Sequence, residues 1–262
     1  MRHTVAGILG ATLMCCSLDA SAQSTAPPAV PEQSIESRLQ IDFHVSEDAL
    51  AQILPPGWDL AVATSGPAKD CNLRLIFIDR MSVNGTDGKP LGKGAGQIVY
   101  LTVPMKEASG TGVNAQVVIA GWTSEAADAP GPFDVYRHAP DHKLTRATTI
   151  GKDGAALEEQ TWSFTTPNGN HIESHVKYER VAAARTTRET TYISAIDPKL
   201  ALVSKIDSTL NIARNASVET PDRVKDFSYK VVDSRFKALF DGTEKVLSID
   251  FFPWMSLATT PR

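Results

Sequence analysis

Apolar and polar residues alternate by two along most of this chain, which is the period of strands buried on one face. In "LQIDFHV", Leu39, Ile41, Phe43 and Val45 share a face and the polar residues between them take the other. "NLRLIFIDRMSV" and "GQIVYLTVPM" read as strands joined by a glycine-rich loop from Asn84-Gly85 to Gly94, and "NAQVVIAGW" as another. "EEQTWSFTTP" and "HIESHVKYER" flank Asn168-Gly169, a hairpin signal because both residues tolerate the positive φ of a tight turn. "SRFKALF" and "EKVLSIDFF" flank Asp241-Gly242 and read as a second hairpin. One short helix is expected near residues 47 to 54: Ser46 caps it, Glu47 and Asp48 suit the positive end of its dipole, and Pro55-Pro56-Gly57 stops it. The spacing from Asp197 to Ser217 fits either a helix or a pair of strands. The pattern predicts a mainly β protein with few short helices, built as a single closed or cone-like antiparallel sheet, since closure removes exposed edges.

The amino terminus departs from this pattern. Arg2 and His3, then the apolar "VAGILGATLMCCSL" and the small residues Ala20-Ser21-Ala22, read as an export signal over residues 1–22. Residues 23–36, "QSTAPPAVPEQSIE", are rich in Pro and Ser and predict a flexible linker. Residues 37–262 then form one domain. Cleavage after Ala22 leaves Cys71 as the sole cysteine, so the folded chain has no intramolecular disulfide, although the compartment expected is periplasmic or extracellular. Cleavage also removes one base and one acid, so the net charge stays at −4, which speaks against nucleic acid as a partner. After the signal no stretch is apolar enough for a membrane, and the oligomeric state is not legible.

The order of an alternating strand, "SEDALAQILPPGW", "RLIFIDR", a glycine loop, "GQIVYLTVPM" and a strand ending in Trp122, followed by "PGPFDVYRHAPDHKLTRAT", resembles the acetoacetate decarboxylase-like superfamily. The resemblance spans roughly residues 38 to 148. It implies a cone of strands around an apolar cavity, in which a lysine forms a Schiff base with a β-keto acid. Such an amine must be unprotonated near neutral pH, whereas a free lysine titrates near 10.4. In that family's decarboxylase the lysine is activated by desolvation or by a neighbouring cation. Carried onto this chain, Gly131 stands for the family glycine, Pro132 replaces its arginine, and Asp134 lies near its glutamate. Pro140 is followed by Asp141, His142 and Lys143 where the family has Pro-Lys-Lys. The implied catalytic set is therefore Lys143 with His142 and Asp134, provided one residue is inserted; without the insertion Asp141 takes the Schiff-base position and His142 that of the second lysine. Two function classes stay open: a Schiff-base lyase acting on a small keto acid, and a non-catalytic binder of a small apolar or carboxylated ligand.

A two-residue turn at Asn168-Gly169 pairs Thr166 with His171, Phe164 with Glu173 and Trp162 with His175. Trp162, Phe164, His171, Glu173 and His175 then share one face, a mixture of rings and polar tips suited to a substrate pocket. His171-x-Glu173-x-His175 also has metal-ligand chemistry, but at about 3.3 Å per residue the two imidazoles stand about 13 Å apart, too far for one ion. No metal or cofactor is expected. Arg74 is a candidate for a ligand carboxylate if it is buried, although Arg74 and Arg80 on a solvent face is the simpler expectation. Trp58, Trp122 and Trp254 are expected in the core.

Overall fold

The structure is a computed structural model that describes residues 31–110, 112–125, 131 and 133–261. The expected export signal and residues 23–30 of the expected linker lie outside the described residues. The strands in chain order are β1 (Glu32–His44), β2 (Trp58–Leu60), β3 (Leu73–Gly85), β4 (Gly96–Glu107), β5 (Asn114–Thr123), β6 (Tyr136–His138) and β7 (Asp141–Ile150). They continue with β8 (Ala156–Thr165), β9 (His171–Arg180), β10 (Ala184–Ser194), β11 (Ala201–Asn215), β12 (Val224–Val232) and β13 (Lys245–Pro261). The helix expected after Ser46 is α1 (Glu47–Ala51), where the Ala49 N–H donates to Ser46 Oγ at 3.3 Å.

The mainly β expectation holds, in two sheets. In the larger, β4-β3-β1-β13-β11-β10-β5 closes on itself through β4–β5 into a seven-stranded barrel, with β2 and β6 at its margins. The smaller has the order β12-β9-β8-β7 and packs across one side of the barrel. The odd residues Leu39, Ile41 and Phe43 of β1, Leu73, Leu75 and Phe77 of β3, and Phe251 of β13 meet Trp162, Phe164, Ile172, Val176 and Tyr178 of the small sheet in one buried cluster. This is the main core, and it lies outside the barrel wall. Arg38 of β1, Ile78 of β3 and, past the register shift, Leu257 and Thr259 of β13 face the other way and line the barrel lumen.

Several sequence expectations change for identifiable reasons. β1 begins at Glu32, not after Ser37, because Ser34 and Glu36 are buried by β3 and β13 on either side. The ambiguous stretch near 197–217 is mainly one long strand, β11. "SRFKALF" forms no hairpin with β13: Ser234–Phe236 is a 3-10 turn that drives Phe236 and Leu239 into the core. Trp122 is buried and Trp58 partly so, but Trp254 is 37 % exposed. A register shift lies between the pairs Glu36–Met255 and Arg38–Phe252, and the bulged Pro253-Trp254 is turned out to solvent.

Candidate functional site

The hairpin decides the fate of most sequence candidates. Its loop is one residue longer than expected: the Thr166 N–H donates to Asn170 O at 2.9 Å, and Gly169 at φ +83° closes a Pro167-Asn168-Gly169 turn. Thr165 therefore pairs with His171, Ser163 with Glu173 and Thr161 with His175. A one-residue slip exchanges the faces of a strand. Trp162 and Phe164 are fully buried beside Ile172 and Val176, while His171, Glu173 and His175 line the outer face. There His171 Nε2 contacts Glu173 Oε2 and His175 Nε2 contacts Glu159 Oε1, both at 2.9 Å. The expected pocket of five residues is thus divided between core and surface.

The lysine segment fares similarly. Lys143 is a strand residue of β7 opposite Ser163, on the outer face of the small sheet, and it is exposed. His142 takes the inner face, its ring stacked 6.4 Å from Phe164 and its Nδ1 3.2 Å from Pro140 O. Asp134 is exposed in a loop at φ +55°, and Pro132 lies outside the described residues. Among the described residues, Lys143, His142 and Asp134 take three different settings, an outer strand face, an inner strand face and an exposed loop, and none of them lines the cavities described below. Every lysine of the chain is among the described residues, and none is buried.

The concave chemistry is in the barrel. A lumen cavity of about 40 Å³ is lined by side chains from all seven wall strands, and Phe133 and Tyr136 cover it. Gly121 admits this cover, because a Cβ there would overlap the Tyr136 ring. Gly121→Val should displace Tyr136 and destabilise the fold by about 1–3 kcal/mol in denaturant unfolding, the usual range for overpacking; an unchanged midpoint would show that Tyr136 is not held there.

Beneath the cover lies a buried ionic network. Arg38 Nε donates to Glu36 Oε2 at 2.7 Å and Arg38 Nη1 to Tyr100 Oη at 3.2 Å. Ser34 Oγ donates to Glu36 Oε1 at 2.9 Å, and Arg80 pairs with Glu32 and Glu36. Burial pushes the Glu36 carboxyl up, but Arg38 and Arg80 outweigh it and hold it below its ordinary value. Burial raises the Tyr100 and Tyr136 phenols, which keep their protons. Two carboxylates meet two guanidiniums, so this end of the lumen is neutral.

The other end is not so evenly matched. Arg74 Nε lies 3.4 Å from Asp42 Oδ1, and Arg74 Nη1 donates to Gln116 Oε1 at 3.3 Å. Asp42, 2 % exposed, also accepts from Gln40 Nε2 at 2.9 Å. A second carboxyl, Asp250, sits on the neighbouring strand β13, 7 % exposed, with Ser248 beside it. Cys71 is free and buried nearby, and burial first, then Asp42, pushes its thiol up to about 12. This end opens to solvent. β5 and β10 are parallel and pair over Gln116–Val118 and Tyr192–Ser194, then diverge. They leave a cleft of about 360 Å³ in which Arg74 and Gln116 meet Asn114, Glu189, Thr190 and Thr191. That volume is at the lower end of small-molecule sites.

Of the sequence candidates, Arg74 alone lies in this cleft, facing inward where a solvent face was expected; Arg80 is likewise buried. Glu36, Arg38, Asp42, Gln116 and Asp250 were not anticipated. A signal was present in "ESRLQIDF": oppositely charged Glu36 and Arg38 two residues apart share a strand face, so they can neutralise one another inside a lumen.

No family model matches the chain, and no curated protein resembles it in sequence. Solved structures do resemble it along its length. One is the enduracididine biosynthesis enzyme MppR with HEPES buffer bound, at TM-score 0.52 and 16 % identity over 99 % of this chain and 98 % of that one. The same enzyme complexed with the condensation product of pyruvate and imidazole 4-carboxaldehyde gives TM-score 0.51 and 13 % identity over 97 % and 96 %. An acetoacetate decarboxylase-like enzyme from Sphingomonas wittichii RW1 gives 0.51 and 11 % over 96 % and 97 %. At these identities the likeness shows the fold, which is acetoacetate decarboxylase-like as the sequence motifs implied.

Proposed function

We propose that this protein binds a small carboxylate at the Arg74 cleft of its barrel and is not a Schiff-base lyase. One observation carries the reading: every lysine is outside the core, while Arg38, Arg74 and Arg80 turn into the lumen. An imine requires a neutral amine, which burial of a lysine would supply. A guanidinium stays charged and forms no imine, but its fork of N–H donors matches a carboxylate. Arg38 and Arg80 are already held by Glu36 and Glu32. Arg74 has a longer contact with its one acid and faces the open cleft. A neighbour of the same fold holds a ligand made from pyruvate, a keto acid, which supports a small carboxylate as the occupant. The amino-terminal pattern adds the proposal that binding takes place in the periplasm or outside the cell.

Calorimetric titration at pH 6 with pyruvate, acetoacetate and butyrate tests this. At least one should bind the wild type, and Arg74→Gln should weaken it by about ten- to a hundredfold, the worth of a hydrogen bond to a charged group. Borohydride should trap no adduct with either keto acid, and Lys143→Ala should bind as the wild type does. A trapped lysine adduct, or affinity unaffected by Arg74→Gln, would overturn the reading.

A further inference from the structure

We infer that the buried Asp42–Asp250 pair couples anion binding at Arg74 to the uptake of one proton. The inference rests on the carboxylate-binding reading above and adds its regulation. It starts from the hydrogen count at Ser248, which is fully buried. Ser248 Oγ lies 2.7 Å from Asp250 Oδ1 and 3.0 Å from the Arg214 carbonyl oxygen, and it accepts from Asn215 Nδ2 at 3.3 Å. A serine hydroxyl has one hydrogen to give. The carbonyl has none, so both short contacts are satisfied when Asp250 carries a proton and donates it to Ser248, which donates to Arg214 O.

The charges around Asp250 favour the same state. On β1, Asp250 stands opposite Gln40 and diagonal to Asp42, which lies opposite Ser248. On β11 it stands opposite Ile212, and the Arg214 guanidinium there is engaged by Asp222. Arg74 on β3 is the cation that bears on it, and Arg74 is in contact with Asp42. Burial first, and then the Asp42 charge, push Asp250 up to about 7, and burial raises Asp42 as well, against Arg74. The two carboxyls share one guanidinium, and the proton resides on the member that has no cation in contact.

An incoming carboxylate on Arg74 would meet the charges of both Asp42 and Asp250, besides that of Glu189 in the cleft, if Asp250 were ionised. With Asp250 protonated it meets one negative charge fewer. Binding therefore selects the protonated pair, and the linkage has a definite sign: affinity is full below pH 7 and falls as pH rises above it, by at most tenfold per unit. Above pH 7 each bound anion brings one proton in, which neutralises Asp250 and leaves the Ser248 hydrogen to Arg214 O.

Calorimetry with pyruvate, acetoacetate and butyrate from pH 6 to 9, in buffers of different ionisation enthalpy, reads both affinity and proton uptake for each that binds. The wild type should lose at least tenfold in affinity between pH 7 and 9 and take up close to one proton at pH 8. Asp250→Asn should bind equally well across the range, at pH 9 at least tenfold tighter than the wild type, with no proton uptake. Binding that is pH-independent in the wild type, or a wild-type slope that persists in Asp250→Asn, would overturn this inference and leave the carboxylate-binding reading standing. Absence of binding of pyruvate, acetoacetate and butyrate alike to both proteins at every pH would overturn the two together.

Discussion

Glu36→Gln should destabilise the protein by about 3–5 kcal/mol, the range measured when one partner is removed from a buried ion pair. The glutamine has the shape of the glutamate and can still accept from Ser34. It cannot neutralise Arg38 and Arg80, whose side chains are 5 % and 3 % exposed and which lose the carboxylate they share. Neither guanidinium can shed its proton to escape the cost. The pH dependence has the opposite sense to that of Asp250. Because the folded Glu36 carboxyl is held below its ordinary value, its contribution is present above the unfolded carboxyl value near 4.3 and is lost as pH falls through the lower folded one. Urea unfolding of the two proteins should therefore show a large gap at pH 6 that narrows in acid. Glu159→Gln, which loses an exposed contact to His175 on the small sheet, should cost far less, because solvent screens that pair. Equal effects of the two changes would mean that the lumen network is as well solvated as the surface one.

The difference between those two glutamates shows which parts of the fold the sequence could disclose. Periodicity located β3, β4, β5, β8 and β9, because each has at least one regularly apolar face and its ends carry turn residues. Periodicity put the polar even positions of β1 on the face opposite Leu39, Ile41 and Phe43, but it carries no sign of whether that face meets solvent or a lumen. In a barrel packed against a second sheet both faces of β1 are covered, and Glu36, Arg38 and Asp42 become interior groups. The hairpin failed at a single residue. Pro167 joins the turn where a two-residue loop was expected, and the slip sends His171, Glu173 and His175 to the opposite face from Trp162 and Phe164. Lys143 was legible as a strand neighbour but not by face, since alternation in "DHKLTRATTI" puts Leu144 inward and Lys143 outward only once β7 is paired with β8. The resemblance carried the fold, while the reaction has to be argued from the site, because a fold can persist while the residues of a site are exchanged.

Asp250→Asn should stabilise the protein at pH 8, which is unusual for a change inside a barrel. The wild-type carboxyl titrates near 7 in the folded state and near 3.9 in the unfolded chain. A group raised on folding contributes stability that is fully present below the unfolded value and is lost progressively as pH rises through the folded one. At pH 8 the folded protein therefore holds an ionised Asp250 beside Asp42, with a guanidinium already in contact with Asp42. Asparagine keeps the volume and can turn its amide N–H to Ser248, as the protonated carboxyl turns its O–H, but it never ionises. At 1.36 kcal/mol per unit, the interval between the two values sets a ceiling of about 4 kcal/mol on the gain. Rearrangement around the ionised carboxyl will lower it. The wild-type and variant urea midpoints should lie close together at pH 4, near the unfolded value, and separate progressively up to pH 8, with the variant higher. A gap of the same size at both pH values would trace the effect to packing and remove titration from the account. A variant less stable at pH 8 would mean that the ionised carboxylate is favourably held, in which case the lumen has a cationic partner for it and an anion entering the Arg74 cleft gains nothing from a proton.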